Sequence, residues 1–97
     1  MIRKPKPLKF DWDKGNKDKN WQKHRVGWKE CEEIFLNGRL KIFPDKGHSQ
    51  KEKRFLAYGK TNKGRKLAMV FTLRRKKIRI ISARYQNKKE RSVYEQK

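Results

Sequence analysis

The spacing of apolar residues along this chain changes from two to about four and back to two. Leu8, Phe10 and Trp12 alternate with Lys9 and Asp11, the period of a short first strand over residues 8–12. Asp13 stands where an N-cap belongs. It precedes a helix expected from about Lys14 to Arg25, with Trp21 as its main apolar anchor. A second helix has the better pattern. Trp28, Cys31, Ile34 and Phe35 share one face, while Glu30, Glu32 and Glu33 point away as a solvated face. Asn37-Gly38 closes this helix, as helices often end on a residue that tolerates positive φ.

Strand spacing then takes over. Arg39 to Phe43 reads as a strand, followed by a polar loop from Pro44 to Lys51. Arg54 to Lys60 and Lys66 to Leu73 flank the hairpin chemistry of Thr61-Asn62-Lys63-Gly64-Arg65. Leu67 to Leu73 is apolar on both faces, which suits a central strand. Arg74-Arg75-Lys76-Lys77 makes a charged turn into a last strand, Ile78 to Tyr85. Asn87 with Glu90 three positions on forms a capping box for a C-terminal helix. The order β-α-α-β-β-β-β-α implies an α+β fold, with helices on one face of a largely antiparallel sheet. A basic flexible arm over residues 1–7 precedes a single domain over residues 8–97.

Composition changes the picture in one direction. Thirty Lys and Arg stand against ten Asp and Glu, a formal net charge of +20. Self-repulsion at that density calls for a negative partner, and the phosphates of a nucleic acid are the best match. No apolar stretch approaches spanning length, so a membrane is not expected as partner. The single cysteine, Cys31, excludes an intrachain disulfide and fits a reducing cytoplasm. No signal peptide is visible: the N-terminus is basic but lacks an apolar core. The acids are scattered, unlike the clustered carboxylates of a two-metal nuclease, so no metal or other cofactor is expected.

RNA can be cut without a metal if a base deprotonates the 2′-hydroxyl, cations stabilise the phosphorane and an acid protonates the leaving oxygen. Arginine suits the phosphorane because its planar fork can hold two phosphate oxygens. Arg79 is a charge in a strand whose other residues are mostly apolar, and Arg65 lies at a hairpin exit. Arg84 is five positions beyond Arg79, so strict alternation puts it on the opposite face unless a bulge intervenes. It could instead pair with the C-terminal helix. Lys23 and His24 close the first helix, where His24 is a candidate proton shuttle or a packed residue beside Trp21. His48 lies in the polar loop, and Tyr94 either anchors the last helix or meets substrate. Arg54, Arg74, Arg75 and Lys77 are substrate-binding candidates, set against the plainer reading of a solvated basic face. Trp12, Trp21 and Trp28 are expected to pack, with base stacking the alternative for any exposed one.

The order of these motifs resembles the BrnT toxins of bacterial type II toxin–antitoxin systems. The likeness rests on Phe10-Asp11-Trp12-Asp13, Asn20, Lys23-His24-x-Val26, Gly27 to Phe35, His48-Ser49, Arg54-Phe55, Gly59, Gly64-Arg65-x-Leu67 and Thr72. It continues through Ile78 to Arg84, Glu90-Arg91 and Tyr94-Glu95. Lys53, Trp28 and Cys31 depart from that pattern, Lys53 standing where an acid often precedes Arg-Phe. The resemblance implies a RelE-like fold and a growth-slowing ribonuclease in the bacterial cytoplasm. It also implies a BrnA-like ribbon-helix-helix antitoxin, joined in a two-plus-two complex that binds operator DNA. Arg65, Arg79, Lys23, His24 and Arg84 are its expected catalytic residues. The alternatives are a non-catalytic basic nucleic-acid-binding module, or a subunit whose basic surface holds an acidic protein.

Overall fold

The computed structural model describes residues 2–6, 8–48 and 52–96. The chain runs α1 (Lys14–Lys17), α2 (Lys19–His24), α3 (Trp28–Leu36), β1 (Lys41–Pro44), β2 (Arg54–Lys60), β3 (Lys66–Arg74), β4 (Lys77–Tyr85) and α4 (Lys88–Glu95). The four strands form one antiparallel sheet in sequence order, so the α+β class stands. Two-residue alternation and hairpin chemistry placed β2, β3 and β4 within about a residue of their observed bounds.

The core lies on one face of the sheet. Ile42, Phe55, Ala57, Leu67, Met69, Phe71, Ile78, Ile80 and Ala83 point to it, and α3 covers them with Cys31, Ile34 and Phe35. Phe35 meets Phe71 edge-on at 5.3 Å, and Phe55 stacks on Phe71 at 5.2 Å. A Cβ on Gly59 would come within 2.7 Å of the Ile34 Cβ, so β2 needs glycine for α3 to lie this close. Cys31 is a small core residue, and burial pushes its thiol up to about 12.

Several expectations change here. Residues 8–12 do not form a strand; they contribute an isolated parallel bridge from Phe10 to Ile78 on the edge of β4. The expected first helix is broken at Asp18 into two short helices. Trp21 is half exposed and does not anchor it. The anchors are two buried amides, Asn16 and Asn20. Asn16 Nδ2 donates to the carbonyls of Asp11 (2.9 Å) and Ile80 (3.4 Å), and Asn20 Oδ1 accepts from the Ala83 N–H (3.0 Å). Together with the Ile78 bonds to Lys9 and Asp11, these side chains occupy polar edge groups of β4 that a fifth strand would otherwise take.

Helix α3 ends at Asn37 in extended conformation (φ −83°), not in a left-handed cap. Its glutamates are not a free solvated face. Glu30 pairs with Arg65, Glu32 accepts from Trp12 Nε1 (2.7 Å) and Glu33 accepts from the Asn62 N–H (3.0 Å). Nor do all helices share one face. Lys41, Tyr58, Ala68 and Arg84 form a row across the outer face. Helix α4 lies over that row, with the Lys41 ammonium on its Val93 carbonyl and Arg84 on its Glu90. The arm also has a place: the Ile2 N–H donates to the Ile42 carbonyl (3.0 Å) and Lys4 Nζ to the Phe35 carbonyl (3.2 Å).

One irregularity re-aims the side chains of β4. Phe71 pairs with Ile80 but Val70 pairs with Ser82, which leaves Ile81 as an extra residue in β4. The bulge reverses the alternation beyond it. Arg79 and Arg84 therefore face the same outer side, and Tyr85 falls opposite Leu67 on the helix-covered side.

Candidate active site

The three candidate arginines of the sheet region all clamp an acid at the start of a helix. Arg65 is set by its own loop. Gly64 takes φ +86°, the Thr61 hydroxyl accepts from the Arg65 N–H (3.0 Å), and the Thr61 N–H donates to the Arg65 carbonyl (2.9 Å). Its Nη1 then donates to both oxygens of Glu30 at 2.8 and 2.7 Å. Glu30 is the third residue of α3 and also accepts from the Gly27 N–H, so one carboxylate caps the helix and holds the guanidinium. Arg65 Nη2 donates to the Arg25 carbonyl (2.9 Å) and to the Tyr85 hydroxyl, and the guanidinium lies 4.5 Å from the Tyr85 ring centre.

Arg65 thus joins the end of α2, the start of α3 and the end of β4. Its four terminal N–H groups are engaged and its Nε is buried without a partner. The half-exposed partner in this cluster is Tyr85. Arg25 adopts a left-handed conformation (φ 55°) that turns the chain from α2 into α3. Lys23 and His24, both exposed, are the last residues of α2 and adjoin that turn. Arg25 also sits 5.5 Å from the exposed Trp21 ring. This corner therefore collects Lys23, His24, Arg25, Arg65 and two exposed aromatic rings.

Arg84 repeats the motif across the sheet. Its guanidinium grips both oxygens of Glu90 at 2.6 and 2.8 Å, and Glu90 is the third residue of α4, accepting from the Asn87 N–H. The Arg84 bond holds the Glu90 carboxyl below its ordinary value, against the opposing effect of burial, while Arg84 itself is raised by the same partner. Arg79 grips Asp13, the N-cap of α1, at 2.9 and 3.2 Å, with Asp11 at 3.6 Å. That contact is the main reason the Asp13 carboxyl lies below its ordinary range.

The structure consequently separates the candidates. Arg65 and the end of α2 lie together on the helix side; Arg79 and Arg84 lie on the outer face. Arg54 and Arg74 flank Glu52 on that outer face at 3.6 and 3.5 Å, so an acid stands one position before Lys53. Tyr94 is buried under α4 beneath Arg39, with a hydroxyl that finds no partner and is pushed up by burial. Buried there, Tyr94 fits the reading of an anchor for the last helix. His48 ends a short turn, and its side chain lies outside the described residues. Among the described residues, no three of His, Cys, Asp and Glu converge as metal ligands, and no helix is long and apolar enough to cross a membrane. Trp12 and Trp28 pack edge-on at 6.2 Å, as expected of them, whereas Trp21 is half exposed.

Sequence reasoning missed Tyr85. Counting back from the two-residue turn after Arg74 puts Arg84 opposite Leu67, and only the bulge brings Tyr85 there, next to Arg65. Comparison with protein families bears on the chain as a whole. The model described as the ribonuclease toxin BrnT, of type II toxin–antitoxin systems, matches residues 12–90. No curated protein matches the chain.

Proposed function

The chain belongs to the BrnT ribonuclease toxins of type II toxin–antitoxin systems, and from that premise we propose that it is a metal-independent RNA endonuclease. The observation that carries this reading is the corner where Arg65 fixes an exposed Tyr85 beside the basic end of α2. In the proposed reaction, His24 accepts the proton of a ribose 2′-hydroxyl. The 2′-oxygen bonds to the adjacent phosphorus, the bond from phosphorus to the 5′-oxygen breaks, and the leaving oxygen takes a proton from water. The products are a 2′,3′-cyclic phosphate and a 5′-hydroxyl. Lys23 and Arg25 face the charge that develops on the phosphate, and the Tyr85 hydroxyl donates to the reacting oxygens. Trp21 offers a ring for a neighbouring base.

In this reading Arg65 is a positioning residue, because its donors are committed to Glu30, Arg25 and Tyr85. Arg79 plays a comparable part for α1, and Arg84 ties α4 to the sheet. The excess of cations supplies steering towards RNA and a surface that an acidic antitoxin can cover. We place the protein in the bacterial cytoplasm with a BrnA-like ribbon-helix-helix antitoxin, in a two-plus-two complex that binds operator DNA, and regard the fold as RelE-like. Expression should arrest growth, and co-expression of the neighbouring antitoxin frame should relieve it. Purified protein should cut RNA in EDTA, with His24→Gln and Tyr85→Phe greatly slowed.

One observation favours the non-catalytic alternative: none of Arg65, Arg79 and Arg84 lacks a carboxylate partner. A pure binding module would protect RNA in EDTA without cutting it, with many small and similar losses on single Lys→Ala changes.

A further inference from the structure

The turn that joins β3 to β4 has unusual chemistry for its geometry. Arg74 pairs with Lys77, so only Arg75 and Lys76 form the loop. Both have positive φ, 50° and 66°. Positive φ at both central residues is the signature of a type I′ turn, which matches the twist of a hairpin and strongly prefers Asn-Gly, Asp-Gly or Gly-Gly. A long side chain at such a position is strained, because its Cβ crowds the following carbonyl. Here two consecutive long cations occupy the positions that the turn would give to Asn and Gly.

Strained backbone of this kind clusters at active sites, ligand clamps and switch regions. Both side chains are exposed at the far end of the hairpin. Arg74 has Glu52 at 3.5 Å, whereas Arg75, Lys76 and Lys77 pair with no carboxylate among the described residues. Among the described residues no acid therefore offsets their charge. They form an unneutralised cationic tip, and Arg79 lies just behind it on β4.

The tip is also remote from the corner at Arg65. Nine residues of β4 place it roughly 25–30 Å from Tyr85. Between the two, α1 and α2 run alongside β4, fastened through Asn16 and Asn20, and expose Lys14, Lys17, Lys19 and Lys23. We infer that the Arg75–Lys76 turn is a second RNA-binding site, a phosphate-gripping tip apart from the reacting corner, with the α1–α2 flank carrying the strand between them. At about 3.4 Å per stacked nucleotide, an RNA must be about eight nucleotides long to engage both. Shorter RNA meets one site at a time, and longer RNA gains from having both on one chain. The inference rests on the reading that this protein acts on RNA.

The test uses the full chain and 2′-O-methylated RNA of four and sixteen nucleotides, which binds without being cut. Arg75→Asn with Lys76→Gly restores favoured turn residues and removes two cations. We expect Tm to rise by on the order of 5 °C, as strain is relieved. Affinity for the sixteen-mer should fall on the order of tenfold at 0.1 M salt, and the slope of log affinity against log salt should lessen by about 1.4, two single-strand phosphate contacts. Arg75→Gln with Lys76→Gln should lose the same affinity without the gain in Tm. Lys88→Gln with Lys89→Gln removes equal charge elsewhere and should lose much less. The four-mer should be far less sensitive than the sixteen-mer to the change at the tip. The inference is overturned if the slope is unchanged, if the Lys88 and Lys89 pair costs as much as the tip, or if Tm does not rise in the Asn-Gly variant. Binding to uncleavable RNA is independent of the chemistry. A protein that shows the tip effect yet cuts no RNA would leave this inference standing and remove the nuclease reading.

Discussion

Arg65 and Arg84 are built alike and serve different ends. Each grips a glutamate at the third position of a capped helix, and each also touches Tyr85, Arg65 through the ring and hydroxyl and Arg84 through the backbone carbonyl. They sit on opposite sides of β4. Arg84 fastens one terminal helix to the outer face of the sheet. Arg65 fastens three elements at once, and one of them ends in Lys23 and His24. The difference teaches that an arginine's partners do not reveal its role; what matters is which groups its fixation leaves pointing to solvent. At Arg84 that is little. At Arg65 it is a phenol and the basic end of a helix.

The sharpest way to break this contrast is to remove each guanidinium in turn. Arg65→Ala is expected to lower RNA cleavage by on the order of 10²-fold, because Tyr85 and the end of α2 lose their common anchor. Arg84→Ala should retain cleavage within a small factor. Equal losses in a gel-based cleavage assay would erase the distinction.

A second test separates placement from chemistry. Asn20→Ala leaves the buried Ala83 N–H without its partner, a loss of about 1–3 kcal/mol in denaturant unfolding. Activity should fall with it, since α2 is then loose on β4, while Asp18→Ala, at the break between α1 and α2, should be nearly neutral. Gly59→Ala drives a Cβ against Ile34 in the helix that carries Glu30, and about 1–3 kcal/mol of destabilisation is expected.

The pair at Arg84 gives the smallest effect and a defined pH dependence. The folded Glu90 carboxyl lies below its ordinary 4.5. Its contribution is therefore fully present above about pH 4.5 and is lost as pH falls through the folded value. Arg84 is almost half exposed, so solvent screening limits the contribution to below about 1 kcal/mol. Urea titrations of wild type and Arg84→Ala should differ at pH 7, and the gap should narrow as pH falls below 4.5 and Glu90 protonates. A gap that does not change with pH would mean that the arginine stabilises by packing and its bond to the Tyr85 carbonyl alone.

How much of this was legible beforehand depended on where the determining contacts lay. Helix α3 and strands β2 to β4 were readable because one apolar face meets one core, and that leaves a period in the sequence. The α1–α2 stretch was not, because the buried amides of Asn16 and Asn20 fasten it to β4. Asn16 and Asn20 carry no hydrophobic period, whereas Trp21, the conspicuous residue, faces solvent. The glutamates of α3 looked solvated because their partners, Trp12, Asn62 and Arg65, are distant in sequence. Arg65 was visible as a candidate from its hairpin position, and Lys23 and His24 from the family pattern. Tyr85 was hidden by a single extra residue, Ile81, since a one-residue bulge exchanges the two faces of everything after it.

The central claim is that RNA is cut without metal at the corner of Arg65, Tyr85 and His24. Its most direct measurement is the chemistry of the ends left on RNA incubated with the protein in EDTA. The account predicts 2′,3′-cyclic phosphate and 5′-hydroxyl ends from wild type, and their near disappearance in His24→Gln and Tyr85→Phe variants that fold normally. RNA left intact in EDTA but cut when Mg²⁺ is restored, or 5′-phosphate ends, would contradict it.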